Sequence, residues 1–257
     1  MKIAIGMETK ERPGGAGHGY LKQTLLNMHR ASIFGSELLA GFEFVRGEGF
    51  TRQQNGMRAI KAGVEIAKTT GAEWVMKLED DLDFTNNFLE NVTDWLADYG
   101  HANVPMFSLA ATFEFVSKSH FNLPETETVF DERDTAFPRV REYMRRGEHI
   151  APHGVGGYWG AQALVWRTAD AEQLVEWLGD DPALFDGKTY HRNRGHDLLL
   201  QVWGMARGAK AFGCAVPSFV QHIGRQSNLD QPEIGHKQPF FQFPFAGHDY
   251  RYQRRSK

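Results

Sequence analysis

Four carboxylates, Glu79, Asp80, Asp81 and Asp83, crowd into five positions directly after the strand-like run Trp74-Val75-Met76-Lys77-Leu78. Carboxylates repel one another and resist burial, so such a group at the end of a buried strand is costly unless a cation or a substrate proton sits among them. Hard divalent cations take oxygen ligands, and one or two carboxylates suffice where phosphate and water fill the other positions. Glu79 with Asp81, and Asp81 with Asp83, each offer two carboxylates around one spacer, so Asp81 is the ligand common to both registers. The plainer alternative is a set of solvated turn residues ahead of the next helix.

Two further positions could carry chemistry. His222 follows a short apolar strand 141 positions after Asp81, and a neutral imidazole would add a nitrogen ligand that suits manganese somewhat better than magnesium. A lone histidine is more often structural, and nothing local links the two. Asp197 stands at the start of an expected helix, where it serves either as an N-cap or first-turn acid or as a general base toward an attacking hydroxyl. His196 and His191 are candidates for the same proton transfer.

The elements that must position these residues alternate. Lys2 to Glu8 reads as a strand, followed by a glycine-rich loop from Thr9 to Gly19 that contains Arg12 and matches neither a dinucleotide fingerprint nor a P-loop. Leu21, Leu25 and Met28 mark a helix to about Phe34, and Leu38 to Val45 reads as the second strand. Thr51 caps a helix striped by Met57, Ile60, Val64 and Ala67, and the strand of the carboxylates follows. Strand, helix, strand, helix, strand argues for a three-layer α/β/α sandwich with a mostly parallel central sheet, whose ligands gather at the carboxyl ends of the strands. Thr85 then caps a helix carrying Phe88, Val92, Trp95 and Tyr99, and Met106 to Ala110 is a short strand.

From Thr112 to Pro152 periodicity disappears, and the segment carries Phe113, Phe115, Phe121 and a basic run at Arg139, Arg141, Arg145 and Arg146. It reads as a lid or acceptor element, or as an excursion with a solvated basic face. Order returns at Gly154-Val155-Gly156-Gly157-Tyr158-Trp159-Gly160, before a strand from Ala161 to Trp166 and a helix from Thr168 to Leu178. A helix with Leu198, Val202 and Met205 on one face, a strand from Ala211 to Val216 and an aromatic tail from Asn228 complete the chain. No repeat or linker interrupts it, so residues 1–257 are expected as one domain: 1–111 the metal half, 112–152 irregular, 153–257 the catalytic half and tail.

Composition narrows the class. Apolar residues at 41% and charged residues at 24% are ordinary for a globular chain of 257 residues. A net charge of −3 gives no general attraction to nucleic acid or anionic membrane, so such binding would need a local patch. Cys214 is the single cysteine, which excludes an intrachain disulfide and fits a buried thiol in a reducing, cytoplasmic setting. No signal peptide or membrane span is expected.

Taken together, these segments resemble glycosyltransferases of the GT-A fold, single-domain enzymes that move a sugar from a nucleotide diphosphate. The resemblance rests on Arg52-Gln53-Gln54-Asn55, on Trp74 to Asp81 as a strand ending in EDD, the family's version of its DxD motif, and on Gly156 to Ala161. It rests also on Gly195-His196-Asp197 and on Pro217-Ser218-Phe219-Val220-Gln221-His222-Ile223-Gly224. The RQQN, LEDD and PSFVQHIG stretches look most like the N-acetylglucosaminyltransferase IV group and related short bacterial or phage enzymes. The resemblance implies a manganese or magnesium ion on Asp81 and His222, and Asp197 as the base of an inverting transfer. It places Arg12, Arg52, Asn55, Glu79 and Asp80 toward the UDP-sugar, and Gly157, Tyr158, Trp159 and His196 on the acceptor side. Asp83 then becomes a turn residue. The third motif reads His-Asp where many relatives have Glu-Asp, and 112–152 matches no part of the family.

The acceptor stays open among a glycan, a small molecule, a protein and hydroxymethylated DNA. The last draws on the basic run with Arg251, Arg254, Arg255 and Lys257, and a phage-encoded chain would act in the host cytoplasm. Clustered carboxylates serve a metal-dependent phosphodiesterase or nucleotidyltransferase equally well, and a non-catalytic sugar-nucleotide-binding protein could share the fold.

Overall fold

The structure, a computed structural model, describes residues 1–9, 16–47, 52–114, 116–117, 130–131, 133, 137–158, 160–179, 197–223 and 241–255, with backbone alone at 16–18, 52–53, 114, 116–117 and 241–242. In chain order the elements are β1 (Ile3–Thr9), α1 (Ala16–Arg30), β2 (Leu39–Arg46), α2 (Arg52–Thr70), β3 (Trp74–Leu78), β4 (Leu82–Phe84), α3 (Phe88–Tyr99) and β5 (Phe107–Ser108). There follow β6 (Val116–Ser117), α4 (Pro138–Arg145), β7 (Ile150–Gly154), β8 (Ala163–Arg167), α5 (Thr168–Leu178), α6 (Asp197–Ala206), β9 (Ala211–Ala215), β10 (Val220–His222) and β11 (Phe241–Gln242).

The central sheet runs β2-β1-β3-β8-β5-β9-β7. Pairing is parallel at β2-β1, β1-β3 and β5-β9 and antiparallel at β3-β8, β8-β5 and β9-β7, so five of the seven strands point one way. Successive side chains on a strand face opposite sides, and here that alternation divides the core in two. Ile3, Ile5, Met7, Trp74, Met76, Leu78 and Val165 pack with Met28 of α1 and Phe88, Val92 and Trp95 of α3. Ala4, Val75, Leu164 and Trp166 pack on the other side with Ile60 and Val64 of α2, Leu174 of α5 and Trp203 of α6. Helices thus cover both faces, which is the three-layer α/β/α class the alternation predicts, and among the described residues no helix is long and apolar enough to cross a membrane.

Three local expectations are corrected. Thr85 does not cap α3: the cap position falls on Asn87, in the left-handed region at φ 50, while the buried Thr85 hydroxyl accepts a bond from Asn91 Nδ2 at 3.2 Å. The buried face of α6 is Leu199, Leu200 and Trp203, and Met205 is 52% exposed. The aperiodic stretch holds the short helix α4, whose single buried side chain is Val140. Of the aromatic tail, the described residues 243–255 pack over the domain, and 228–240 lie outside the described residues. Tyr252 stacks against Tyr99 and His149, and Asn91 of α3 donates to Tyr250 O and accepts from Tyr252 N. Cys214 is a buried thiol, pushed up to about 12 by burial.

Two measurements test this packing. A Cβ on Gly6 would lie 1.8 Å from the Ala59 carbonyl oxygen, so β1 and α2 meet at a distance that only glycine allows. Gly6→Ala is expected to lower unfolding stability by about 3 kcal/mol in a urea titration, the scale of a forced overpacking. His149, held by Nδ1–H to Val216 O at 3.1 Å, has its pKa lowered chiefly by burial, with Arg255 acting in the same direction. The neutral form is favoured in the fold, so its contribution is complete above the unfolded value of about 6.5 and is lost as pH falls through that value toward the folded one. Thermal midpoints should drop on acidification from about pH 7 to about pH 5, and His149→Gln should flatten that drop.

Candidate metal centre

β3 ends at Leu78 and delivers Glu79, Asp80 and Asp81 to the carboxyl end of the parallel strands, all three buried. The chain then turns into β4, which pairs antiparallel with β10 in the register Leu82↔His222. Ile223 N donates to Asp81 O at 2.9 Å and extends that ladder by one step. The ladder brings His222 Nε2 to 3.0 Å from Asp81 Oδ2 across 141 residues of sequence. One ligand atom each from Glu79, Asp81 and His222 lie within 4.8 Å of one another. Ligands about 2.1 Å from an octahedral ion and at right angles to each other lie about 3.0 Å apart, so this spacing suits a cation as well as it suits a direct Asp81–His222 hydrogen bond. Two carboxylates and an imidazole are a donor set for manganese or magnesium and do not decide between them.

The neighbouring carboxylates are held for different tasks. Asp80 Oδ2 accepts the Thr9 hydroxyl at 2.8 Å, at the end of β1. Thr24 of α1 donates to Asp80 O at 2.9 Å and accepts from Leu82 N at 3.0 Å, and Asn27 Nδ2 donates to Leu82 O at 3.1 Å. α1 therefore fixes the turn between β3 and β4. Asn55 of α2 donates through Nδ2 to Thr9 O at 3.2 Å, and its buried Oδ1 has no hydrogen-bond partner among the described residues. Asp83 belongs to β4 instead of a turn, and its carboxylate pairs with Arg30 and, at 2.9 Å, with His248.

Below the carboxylates lies a residue that the sequence reading passed over. Lys77 is 0% exposed, and its Nζ pairs with Glu8 on β1, with Glu79 Oε1 at 3.2 Å and with Ala161 O at 2.6 Å. The signal was present as a lone cation inside an otherwise apolar strand. Among the described residues, Glu8, Glu79, Asp80 and Asp81 bring four buried carboxylates together around Lys77, a concentration of oxygen ligands that suits a divalent cation.

The segment Gly160 to Gln162 joins this centre to Asp197. Glu79 N donates to Gln162 O at 2.9 Å, Lys77 holds Ala161 O, and Gly160 N donates to Asp197 Oδ2 at 3.5 Å. Asp197 opens α6 as the sequence suggests. Tyr158, expected beside an acceptor, is 0% exposed, and its hydroxyl donates to Gly160 O at 2.6 Å. Burial raises its pKa well above the usual phenol value, so it stays a neutral donor. Gly157 lies exposed in a tight turn from Val155. Arg12, Trp159, His191 and His196 lie outside the described residues, as does the side chain of Arg52. The basic run is partly neutralised: Arg146 pairs with Glu142 at 3.7 Å and Glu148 at 3.4 Å, and Arg139 stacks on Phe113.

No family model matches the sequence, and no significant match is found among curated proteins. Solved structures with a loosely similar fold include a glycosyltransferase involved in the glycosylation of the major capsid of PBCV-1, with 10% identity, 75% of this chain and 74% of that chain covered, and a TM-score of 0.38. A Drosophila beta1,4-galactosyltransferase 7 mutant in complex with manganese, UDP-Gal and xylobiose has 10% identity, coverage of 93% and 82%, and a TM-score of 0.40. A CMP:2-keto-3-deoxy-manno-octonic acid synthetase complexed with CTP has 14% identity, coverage of 84% and 88%, and a TM-score of 0.39. These likenesses are too loose to carry a function, which rests on the geometry of this chain.

A cation held by these side chains stabilises the fold by mass action. Manganese is expected to raise the thermal midpoint of the wild-type chain in a concentration-dependent way. Asp81→Asn and His222→Ala should each remove most of that rise, and an equal rise in both variants would place the ion elsewhere.

Proposed function

We propose that the chain is an inverting, metal-dependent glycosyltransferase of the GT-A fold that moves a sugar from a UDP-sugar to an acceptor hydroxyl. The observation that carries the reading is the approach of His222 to Asp81 at 3.0 Å from opposite halves of the chain, at the end of a parallel strand. In this reading Asp81 and His222 hold manganese or magnesium, with Glu79 close enough to complete the set or to face the donor. Asp80, Asn55, Arg12 and Arg52 face the nucleotide sugar, and Gly157, Trp159 and His196 stand on the acceptor side. Bound there, the cation would offset the negative charge that builds on the departing diphosphate.

The rest falls to the chain's own groups. Asp197 accepts the proton of the acceptor hydroxyl as its oxygen bonds to the anomeric carbon, while the bond from that carbon to the diphosphate oxygen breaks and UDP leaves. The rigid Gly160 to Gln162 segment fixes the distance between base and metal side, and alignment of this kind supplies much of a transfer enzyme's rate. Asn55, held to Thr9 O at the end of β1, lies where its amide would face an N–H or O–H of the nucleotide.

With manganese, a panel of UDP-sugars and a panel of glycan, small-molecule, protein and hydroxymethylated-DNA acceptors, mass spectrometry should detect one glycosylated product and stoichiometric UDP. Chelation should stop the reaction, as should Asp81→Ala by removing a metal ligand, and Asp197→Asn should lower turnover at least about 100-fold, the usual scale for a lost acid–base group. Release of UMP would instead indicate phosphodiester or nucleotidyl chemistry. Tight donor binding with no turnover on any acceptor would make the chain a binding protein.

A further inference from the structure

The Tyr158 hydroxyl donates to Gly160 O at 2.6 Å, and the N–H of the same residue points to Asp197 Oδ2 at 3.5 Å. Tyr158 O accepts from Gln201 Nε2 at 2.8 Å, on α6 one turn beyond Asp197. Its ring stands edge-on against Phe212 at 5.0 Å and His153 at 5.2 Å, so the phenol has a fixed direction. Gly160 cannot yield by adopting another residue type: its φ is +92°, and a Cβ there would meet Thr112 Cγ2 at 2.3 Å. Two bonds to one tyrosine thus tie together Gly160, the residue whose N–H meets Asp197, and the helix that carries Asp197.

We infer that Tyr158 is a positioning residue for Asp197, its hydroxyl holding the Gly160 carbonyl and so, through the crowded Gly160 Cα, the aim of the Gly160 N–H at the carboxylate. The inference rests on the reading of Asp197 as the base. An N–H to oxygen distance of 3.5 Å is long and weak taken singly, so the aim of the N–H depends on how firmly Gly160 is held, and the phenol on its carbonyl supplies one such hold. One carboxylate oxygen is thereby engaged by the backbone, which orients the carboxylate as a whole toward an incoming hydroxyl. The Tyr158 hydroxyl bond lies on the Asp197 side of the segment and touches none of Glu79, Asp81 and His222, so the effect is expected in turnover and not in binding of the nucleotide.

The test compares Tyr158→Phe with Tyr252→Phe. The second also removes a tyrosine hydroxyl bond, a part-buried one to Asp98 Oδ2 at 2.8 Å, in the C-terminal segment and away from the centre. Each variant should lose a few degrees in thermal midpoint. Only Tyr158→Phe should lower kcat, about tenfold, with KM for the donor and the affinity for manganese unchanged. Equal kcat in wild type and Tyr158→Phe, with Asp197→Asn inactive, overturns the inference and leaves the base assignment standing. Full activity in Asp197→Asn removes the base reading itself. A fall in kcat shared by both tyrosine variants, tracking thermal stability alone, assigns Tyr158 a merely structural role and also overturns the inference.

Discussion

The structure depends on a charge placed where charge is least welcome. Lys77 sits fully buried in β3, and its ammonium is tolerable because its three protons meet Glu8, Glu79 and Ala161 O. Those partners come from β1, from the end of β3 and from the approach to β8, the strands that form the middle of the sheet. Removing one member of such a buried ion cluster strands the others, at a typical cost of about 3–5 kcal/mol. The cluster therefore fixes Glu79 in place from below while the ligand face of the carboxylates stays toward the strand ends. It also keeps part of the acidic group neutralised whether or not a cation is bound.

Around that point the centre is built from contacts between distant parts of the chain. α1 grips the turn after the carboxylates through Thr24 and Asn27, and Arg30 reaches Asp83. β10 supplies His222 through a short antiparallel ladder, and His248 closes on Asp83 from the C-terminal segment. On the other flank, Tyr158 and Gln201 tie the Gly160 peptide to α6. Neither flank touches the other directly among these contacts; the backbone from Gly160 to Gln162 stands between them. That segment meets the Glu79 backbone at Gln162 and the Asp197 carboxylate at Gly160, which makes it the joint between the two flanks.

Much of the layered sheet was legible in the sequence because the first half of the chain repeats two clean periods. The stripe Met57, Ile60, Val64, Ala67 is the pattern of a helix with one buried face, the nearly apolar run of β3 is that of a strand covered on both sides, and α5 was read with the bounds it has. α4 was not legible, since a helix burying only Val140 shows no apolar stripe. The face of α6 was misjudged because three consecutive leucines at 198–200 leave the helical phase undetermined, and Trp203 sets it. Asp81 could be singled out from its spacing alone. Its approach to His222 could not, because a pairing across 141 residues leaves no local trace, and that expectation came from resemblance. The ion cluster was missed for a related reason: Glu8 and Lys77 are neighbours only through the parallel pairing of β1 with β3. The roles of Arg12, Trp159 and His196 fall outside the described residues.

The β4–β10 ladder has a consequence for the life of the chain before it is complete. Ribosomes add about 5–20 residues each second, so the interval between the emergence of Asp81 and that of His222 is on the order of ten seconds. Throughout that time the acidic turn can form on β3 and lean on α1, yet it lacks its imidazole and its edge partner. The half-made chain thus lacks one of the three grouped candidate ligands. The cluster is completed late, in one step, when β10 docks on β4.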